Sequence, residues 1–145
     1  MTASALRRMW DGEGARRRLA DASTATPAQL RAAMAGAQFS VHYQPEVVLP
    51  SGAVVGVEAL VRWSHPTRGL LAPGAFVPQM EAGPLIVPFG RWILHEACRA
   101  LARLRVRRPN LRMNVNVSAR QLSDDPGLVD VVTGELPTRV WRRGA

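Results

Sequence analysis

The chain contains no lysine. All nineteen basic residues are arginine, set against eleven acidic residues, for a net charge of +8. GC-rich coding accounts for such usage and also favours Ala, Gly and Pro. Arginine equally suits an acidic or phosphate-bearing partner, because the guanidinium fork matches phosphate oxygens. A nucleic-acid footprint needs basic residues gathered on one face with aromatics between them. Aromatics are scarce, at 6% of the chain. The arginines cluster at residues 16–18, 103–112 and 139–143, and only Trp141 stands among them. Nucleic acid is therefore not an expected partner.

Cysteine is nearly absent as well. Cys98 alone excludes a disulfide framework and a thiolate metal centre, and on a helix it reads as a small core residue. No run reaches the roughly 18 uncharged apolar residues of a membrane span. The N-terminus lacks the apolar stretch of a secretory signal. Its Arg- and Ala-rich composition resembles a transit peptide, but Asp11, Glu13 and Asp21 oppose that reading. A cytoplasmic, bacterial-type protein without a membrane partner is expected.

The 145 residues suffice for one domain with one sizeable core. Residues 1–26 are polar, Arg-rich and unpatterned, and read as a linker. Thr26-Pro27 supplies an N-cap and a first-turn proline. A helix over 27–35 comes next, with Leu30 and Met34 on one side and Gly36 as its stop. Residues 39–49 read as a strand with a possible kink at Pro45. Pro50-Ser51-Gly52 turns the chain into a second strand over 53–63, and so short a turn implies an antiparallel hairpin. Four prolines make 64–84 loop-like, with a helical piece near 74–82. Phe89, Trp92, Ile93, Ala97, Ala100, Leu101 and Leu104 recur at helical spacing and predict a helix over 86–105, with Arg91, Arg99 and Arg103 toward solvent. A third strand over 111–118 places Asn114, Asn116 and Ser118 on one face. Pro126 opens a last helix carrying Leu128, Val131 and Val132. Strands followed by helices indicate an α/β fold with a partly parallel sheet.

Two residues of the second strand do not fit a plain core. Glu58 and Arg62 are evenly spaced, so they share one face of the strand. Neither is cheaply buried without a partner or a ligand. Gln44 lies on the hairpin partner and Asn116 on the third strand. A carboxylate and an amide oxygen are hard donors suited to Mg²⁺, Mn²⁺ or Ca²⁺, and an arginine beside them suits a phosphate oxygen. The same residues are also consistent with a buried Glu58–Arg62 ion pair beside a hydrogen-bonded Asn116. His42, His65 and His95 have no ligand-spaced partners. Asp124-Asp125 precedes Pro126 and reads as a helix cap.

Tyr43-Gln44-Pro45, Glu58-Ala59-Leu60-Val61-Arg62-Trp63 and His65-Pro66 together resemble the EAL domain family. The resemblance continues in order through Pro73-x-x-Phe76-Val77-Pro78, Glu81, Leu85-Ile86, Gly90-x-Trp92-x-Leu94 with Ala97-Cys98, and Val115-Asn116-Val117-Ser118-x-x-Gln121-Leu122. It implies a TIM-type (β/α) barrel with an antiparallel first strand, here incomplete. It implies metal-dependent hydrolysis of cyclic di-GMP to pGpG with Mg²⁺ or Mn²⁺. By position, Glu58 and Asn116 resemble metal ligands, and Gln44 and Arg62 resemble substrate contacts, Arg62 at a phosphate.

The motif series stops near residue 133, whereas a family domain continues for roughly another hundred residues toward a barrel of about 250. The later Glu, the Asp pair before Phe-Gly, the catalytic-site Lys and the last Glu and Gln have no counterpart. Gly83-Pro84 replaces the usual Thr-Gly. The expected organisation is an EAL segment over 27–133 followed by a non-family tail over 134–145. The segment is expected to lack phosphodiesterase activity alone and not to hold a metal stably. The alternative is a degenerate fragment that binds cyclic di-GMP or, through an open sheet edge, another EAL protein. A frameshift or truncation of the gene is the expected cause of the break. Other reading frames downstream should then encode an EAL-like continuation, and their lacking one contradicts this.

Overall fold

The computed structural model describes residues 25–135; the readings for 1–24 and 136–145 lie outside the described residues. In chain order the elements are α1 (Pro27–Ala35), β1 (Phe39–Val48), β2 (Ala53–His65), β3 (Gly69–Leu71), a 3-10 turn (Pro73–Ala75), α2 (Val77–Glu81), α3 (Ile86–Arg105), β4 (Arg112–Val115), α4 (Ala119–Asp124) and α5 (Leu128–Glu135). The architecture is α/β, as the strand and helix order implied.

Local chemistry sets most boundaries. At α1, Thr26 Oγ1 accepts the Gln29 amide and the Gln29 side chain accepts the Thr26 amide, a reciprocal capping box. Gly36 ends the helix at a negative φ of -87°, and the residue at positive φ is Ala37, at φ 49°. Gly52, at φ +64°, makes the hairpin turn with Ser51, whose hydroxyl accepts the Ala53 amide. In α3, Pro88 lies in the first turn, where no intrahelical N–H is required. Arg103 and Arg105 sit in its last turn, where cations complement the carbonyl end.

β2 is the centre of the sheet. It pairs antiparallel with β1, antiparallel with β3 and parallel with β4. The register of β1 on β2 slips between Glu46 and Val47, just past the expected kink at Pro45. Three differences from the sequence reading concern length. β2 runs on to His65 and is met by β3, a three-residue strand too short to show a period. β4 ends at Val115 rather than 118, so Ser118 leaves the strand face. A separate helix, α4, then precedes the one at 128.

One face of β2 is dry: Val57, Ala59, Val61 and Trp63 are all buried. Phe39 of β1, Phe76, and Phe89 of α3 close over Trp63, with ring centroids 4.9–6.1 Å apart. Leu30, Met80 and Ile86 complete this core. Trp63 Nε1 donates to Gln38 Oε1 at 3.0 Å, so its one polar atom is satisfied inside the cluster. On α3 the buried residues are Ile86, Phe89, Gly90, Leu94, Ala97, Cys98, Ala100 and Leu101, so Phe89, Ala97, Ala100 and Leu101 hold as read, whereas Leu104 is 40% exposed. The expected stripe is therefore rotated slightly, because Gly90 and Cys98 face inward.

Phe76→Ala is expected to destabilise the fold by about 3–5 kcal/mol and Leu49→Ala, at an exposed turn position, by less than about 0.5 kcal/mol. Urea unfolding of both variants measures the difference.

Candidate functional site

The other face of β2 carries Glu58, Leu60 and Arg62, all half-buried. Register fixes what stands beside them. Gln44 of β1 is opposite Glu58, and His42 is opposite Leu60. On the other side Asn114 of β4 is paired with Glu58. Asn116 lies just beyond the end of β4, and its Nδ2 donates to Glu58 Oε1 at 2.9 Å. Asn114 Nδ2 donates in turn to Glu46 Oε1 at 2.7 Å. Glu46 reaches Asn114 across Gly56, where an added Cβ would lie 2.5 Å from Glu46 Oε2. Two carboxylate–amide pairs therefore bridge three strands on one face. Gln44 is exposed on that face.

Glu58 and Arg62 share this face, but they form no ion pair. Arg62 Nη1 donates to the carbonyl of Val61 at 3.0 Å, and Glu58 is bonded to Asn116. Strand geometry is the reason: four residues span roughly 13 Å along a strand, and Leu60 stands between them. The buried ion-pair reading is thereby corrected, since both side chains are half-exposed and carry separate bonds.

Asn116 is held from its C-terminal side. Ser118 caps α4: its Oγ accepts the Gln121 amide and its own amide donates to Gln121 Oε1, both at 3.2 Å. The Gln121 side chain is buried against Gly90 of α3. At the far end of α4, Asp125 accepts two bonds from Arg91, one of them from Nε at 2.7 Å. The Asp125 side chain is fully buried and that of Arg91 is 46% exposed. Asp125 also accepts the Gly127 amide at the opening of α5, so its reading as a cap holds in part. Arg91 lies toward solvent, as read, and its guanidinium also clamps a residue far along the chain. Sequence reasoning missed α4, although Ser118-x-x-Gln121 is a capping-box signature. Arg120 adds a bond to the carbonyl of Glu81 at 2.7 Å, tying α4 to α2.

The remaining candidates are engaged elsewhere. His65 Nδ1 accepts the Thr67 amide, and its ring meets Trp63 edge-on. Cys98 is buried in a small cluster with Leu101, Met113 and Val132. Among the described residues, no helix is long and apolar enough to cross a membrane.

The EAL domain profile matches residues 28–140, which is most of the chain. The chain belongs to the EAL domain family. The match runs on past the segment 27–133 read from the motifs. The chain is 47% identical over 109 residues to the bifunctional diguanylate cyclase/cyclic di-GMP phosphodiesterase MucR of Pseudomonas aeruginosa, covering 74% of this chain and 16% of that protein. It is 46% identical over 95 residues to the cyclic di-GMP phosphodiesterase PdeR of Escherichia coli, covering 66% of this chain and 14% of that protein. The chain thus spans about a sixth of the length of these curated relatives. The solved P. aeruginosa MucR phosphodiesterase in complex with c-di-GMP superimposes with a TM-score of 0.69 at 44% identity, over 74% of this chain and 44% of that one. The EAL enzyme Bd1971 with cAMP and cyclic di-GMP bound superimposes with a TM-score of 0.68 at 29% identity, over 74% and 31%.

The hydrogen bonds from Arg91 hold the Asp125 carboxyl below the usual carboxylate range, and the Gly127 amide adds to this. A carboxylate depressed in the folded state stabilises the fold fully above its unfolded pKa, and that stability is lost as pH falls through the folded value. Thermal stability is therefore expected to fall on acidification. Asp125→Asn should start less stable at neutral pH and show a flatter acid limb in melting curves taken from pH 7 to pH 2.

Proposed function

We propose that this chain supplies one wall of a cyclic di-GMP site, within an incomplete (β/α) barrel. In this reading Glu58 and Asn116 hold a divalent cation, Mg²⁺ or Mn²⁺, and Gln44 and Arg62 contact the substrate. The 2.9 Å bond between Asn116 and Glu58 carries the reading. It brings the carboxylate of a β2 residue and the amide of a residue just past β4 side by side, on the face where Gln44 also stands.

The donor set fits the ion in kind. Both side chains offer hard oxygens, and Mg²⁺ is commonly held by one or two carboxylates with waters and substrate phosphates as the other ligands. The Asn116 amide donates to Glu58 and carries an acceptor oxygen on the same carbon, so one residue serves either partner. Among the described residues no group of three or more His, Cys, Asp and Glu is placed to hold a metal ion. One carboxylate and one amide make Glu58 and Asn116 part of a ligand set, because Mg²⁺ takes near-octahedral coordination. When bound, the metal would activate a water and stabilise charge developing on the phosphodiester.

The chain's own residues then bind and orient. The Arg62 guanidinium has five N–H donors, of which one is engaged with Val61. Its planar fork suits two oxygens of one phosphate. Gln44, opposite Glu58, offers both a donor and an acceptor to the nucleotide.

Calorimetry with cyclic di-GMP and Mn²⁺ tests the reading, alongside chromatography for pGpG. Binding without turnover is expected, and Arg62→Ala should weaken it by about tenfold, as loss of a charged hydrogen bond does. Absence of binding by the unaltered chain contradicts the site. Turnover that disappears in Glu58→Ala contradicts the expectation that this chain is inactive alone.

A further inference from the structure

Asn116 lies outside regular structure, between the end of β4 and the Ser118 cap of α4. Close packing does not hold it. A cavity of about 180 Å³ lies beneath this segment, lined by Leu60, Phe89, Asn116, Ser118 and Gln121 among others. Asn116 itself is exposed. A side chain above a void and open to solvent keeps one orientation only if its backbone is fixed from elsewhere.

The fixing point is one turn of α3. An added Cβ at Gly90 would lie 1.3 Å from Gln121 Nε2, so the Gln121 amide occupies the space a side chain would fill. From that seat, Gln121 Oε1 accepts the Ser118 amide, two residues after Asn116. The next residue of α3, Arg91, grips Asp125 at the other end of α4. Glycine inside a helix costs roughly 0.5–1 kcal/mol relative to alanine. Here the contact with Gln121 requires it.

We infer that Gln121, seated in the notch at Gly90, is the positioning residue for Asn116: it sets the 116–118 backbone so that the Asn116 amide meets Glu58. Its consequence for metal binding rests on the proposed cation site; its consequence for the Asn116–Glu58 bond does not. Groups that orient a ligand side chain matter nearly as much as the ligand.

The test uses the 15N-labelled 145-residue chain without metal. The Asn116 side-chain amide signal is identified by its loss in Asn116→Ala. Its unbonded position is defined by Glu58→Ala. The Trp63 indole signal, bonded to Gln38, reports that the core is intact. In Gly90→Ala and in Gln121→Ala the Asn116 amide is expected to move to its unbonded position while the Trp63 signal stays. Gln121→Glu keeps the capping oxygen and should retain the original position. An Asn116 signal unmoved in Gln121→Ala with Trp63 intact overturns the inference, as does one already unbonded in the unaltered chain. Should Gly90→Ala fail to fold, Gln121→Ala decides alone. Added Mn²⁺ separates the two claims. It should broaden the Asn116 signal, with affinity reduced about tenfold in Gln121→Ala, the lower end for loss of an orienting group. Failure of Mn²⁺ to broaden it in the unaltered chain sinks the metal reading, and the amide shifts still decide the positioning.

Discussion

The alternation of β2 is the constraint on which the rest of the structure depends. A strand with period two has no choice about which residues go together. Val57, Ala59, Val61 and Trp63 are buried, the last two within the aromatic cluster of Phe39, Phe76 and Phe89, and burying a valine side chain alone is worth roughly 1.5–3 kcal/mol. That commitment turns Glu58, Leu60 and Arg62 to the opposite face. A one-residue slip would drive the carboxylate and the guanidinium into the apolar cluster, so the core fixes the register and the register places the polar residues. Because β2 is flanked by both β1 and β4, the same register brings Gln44 and Asn114 alongside Glu58.

Beyond the sheet, order is passed along by individual contacts. The strand geometry of β4 ends before Asn116, and from there α3 takes over. Gly90 makes room for Gln121, and Arg91 binds Asp125, so adjacent residues of one helix hold both ends of α4. The buried Asp125 carboxylate is tolerable because both of its oxygens are bonded. Lower on the open face, Glu46 and Asn114 repeat the carboxylate–amide pairing across Gly56. That second pair ties β1 to β4 over the strand between them.

Much of this was legible in the sequence, for identifiable reasons. The helices at 27–35 and 86–105 announce themselves through a proline-marked cap and a long apolar period, and both stand as read. The hairpin followed from its short turn. β3 was invisible because three residues carry no period. α4 was missed because the alternation of Asn114, Asn116 and Ser118 outlasts the strand by several residues, and the competing Ser-x-x-Gln cap won. The Glu58–Arg62 ion pair failed on distance, since spacing that pairs side chains on a helix separates them on a strand. No local pattern could have paired Arg91 with Asp125, which are brought together only by tertiary folding.

If Glu58 and Asn116 form part of a metal site, one oxygen of each shares a cation. Anomalous diffraction from crystals grown with Mn²⁺ and cyclic di-GMP decides whether they do. An anomalous peak is expected within about 2.0–2.3 Å of an oxygen of each residue, the range for small divalent ions on hard oxygen ligands. Density showing Asn116 still donating to Glu58, with Mn²⁺ bound elsewhere or not at all, would contradict the shared cation.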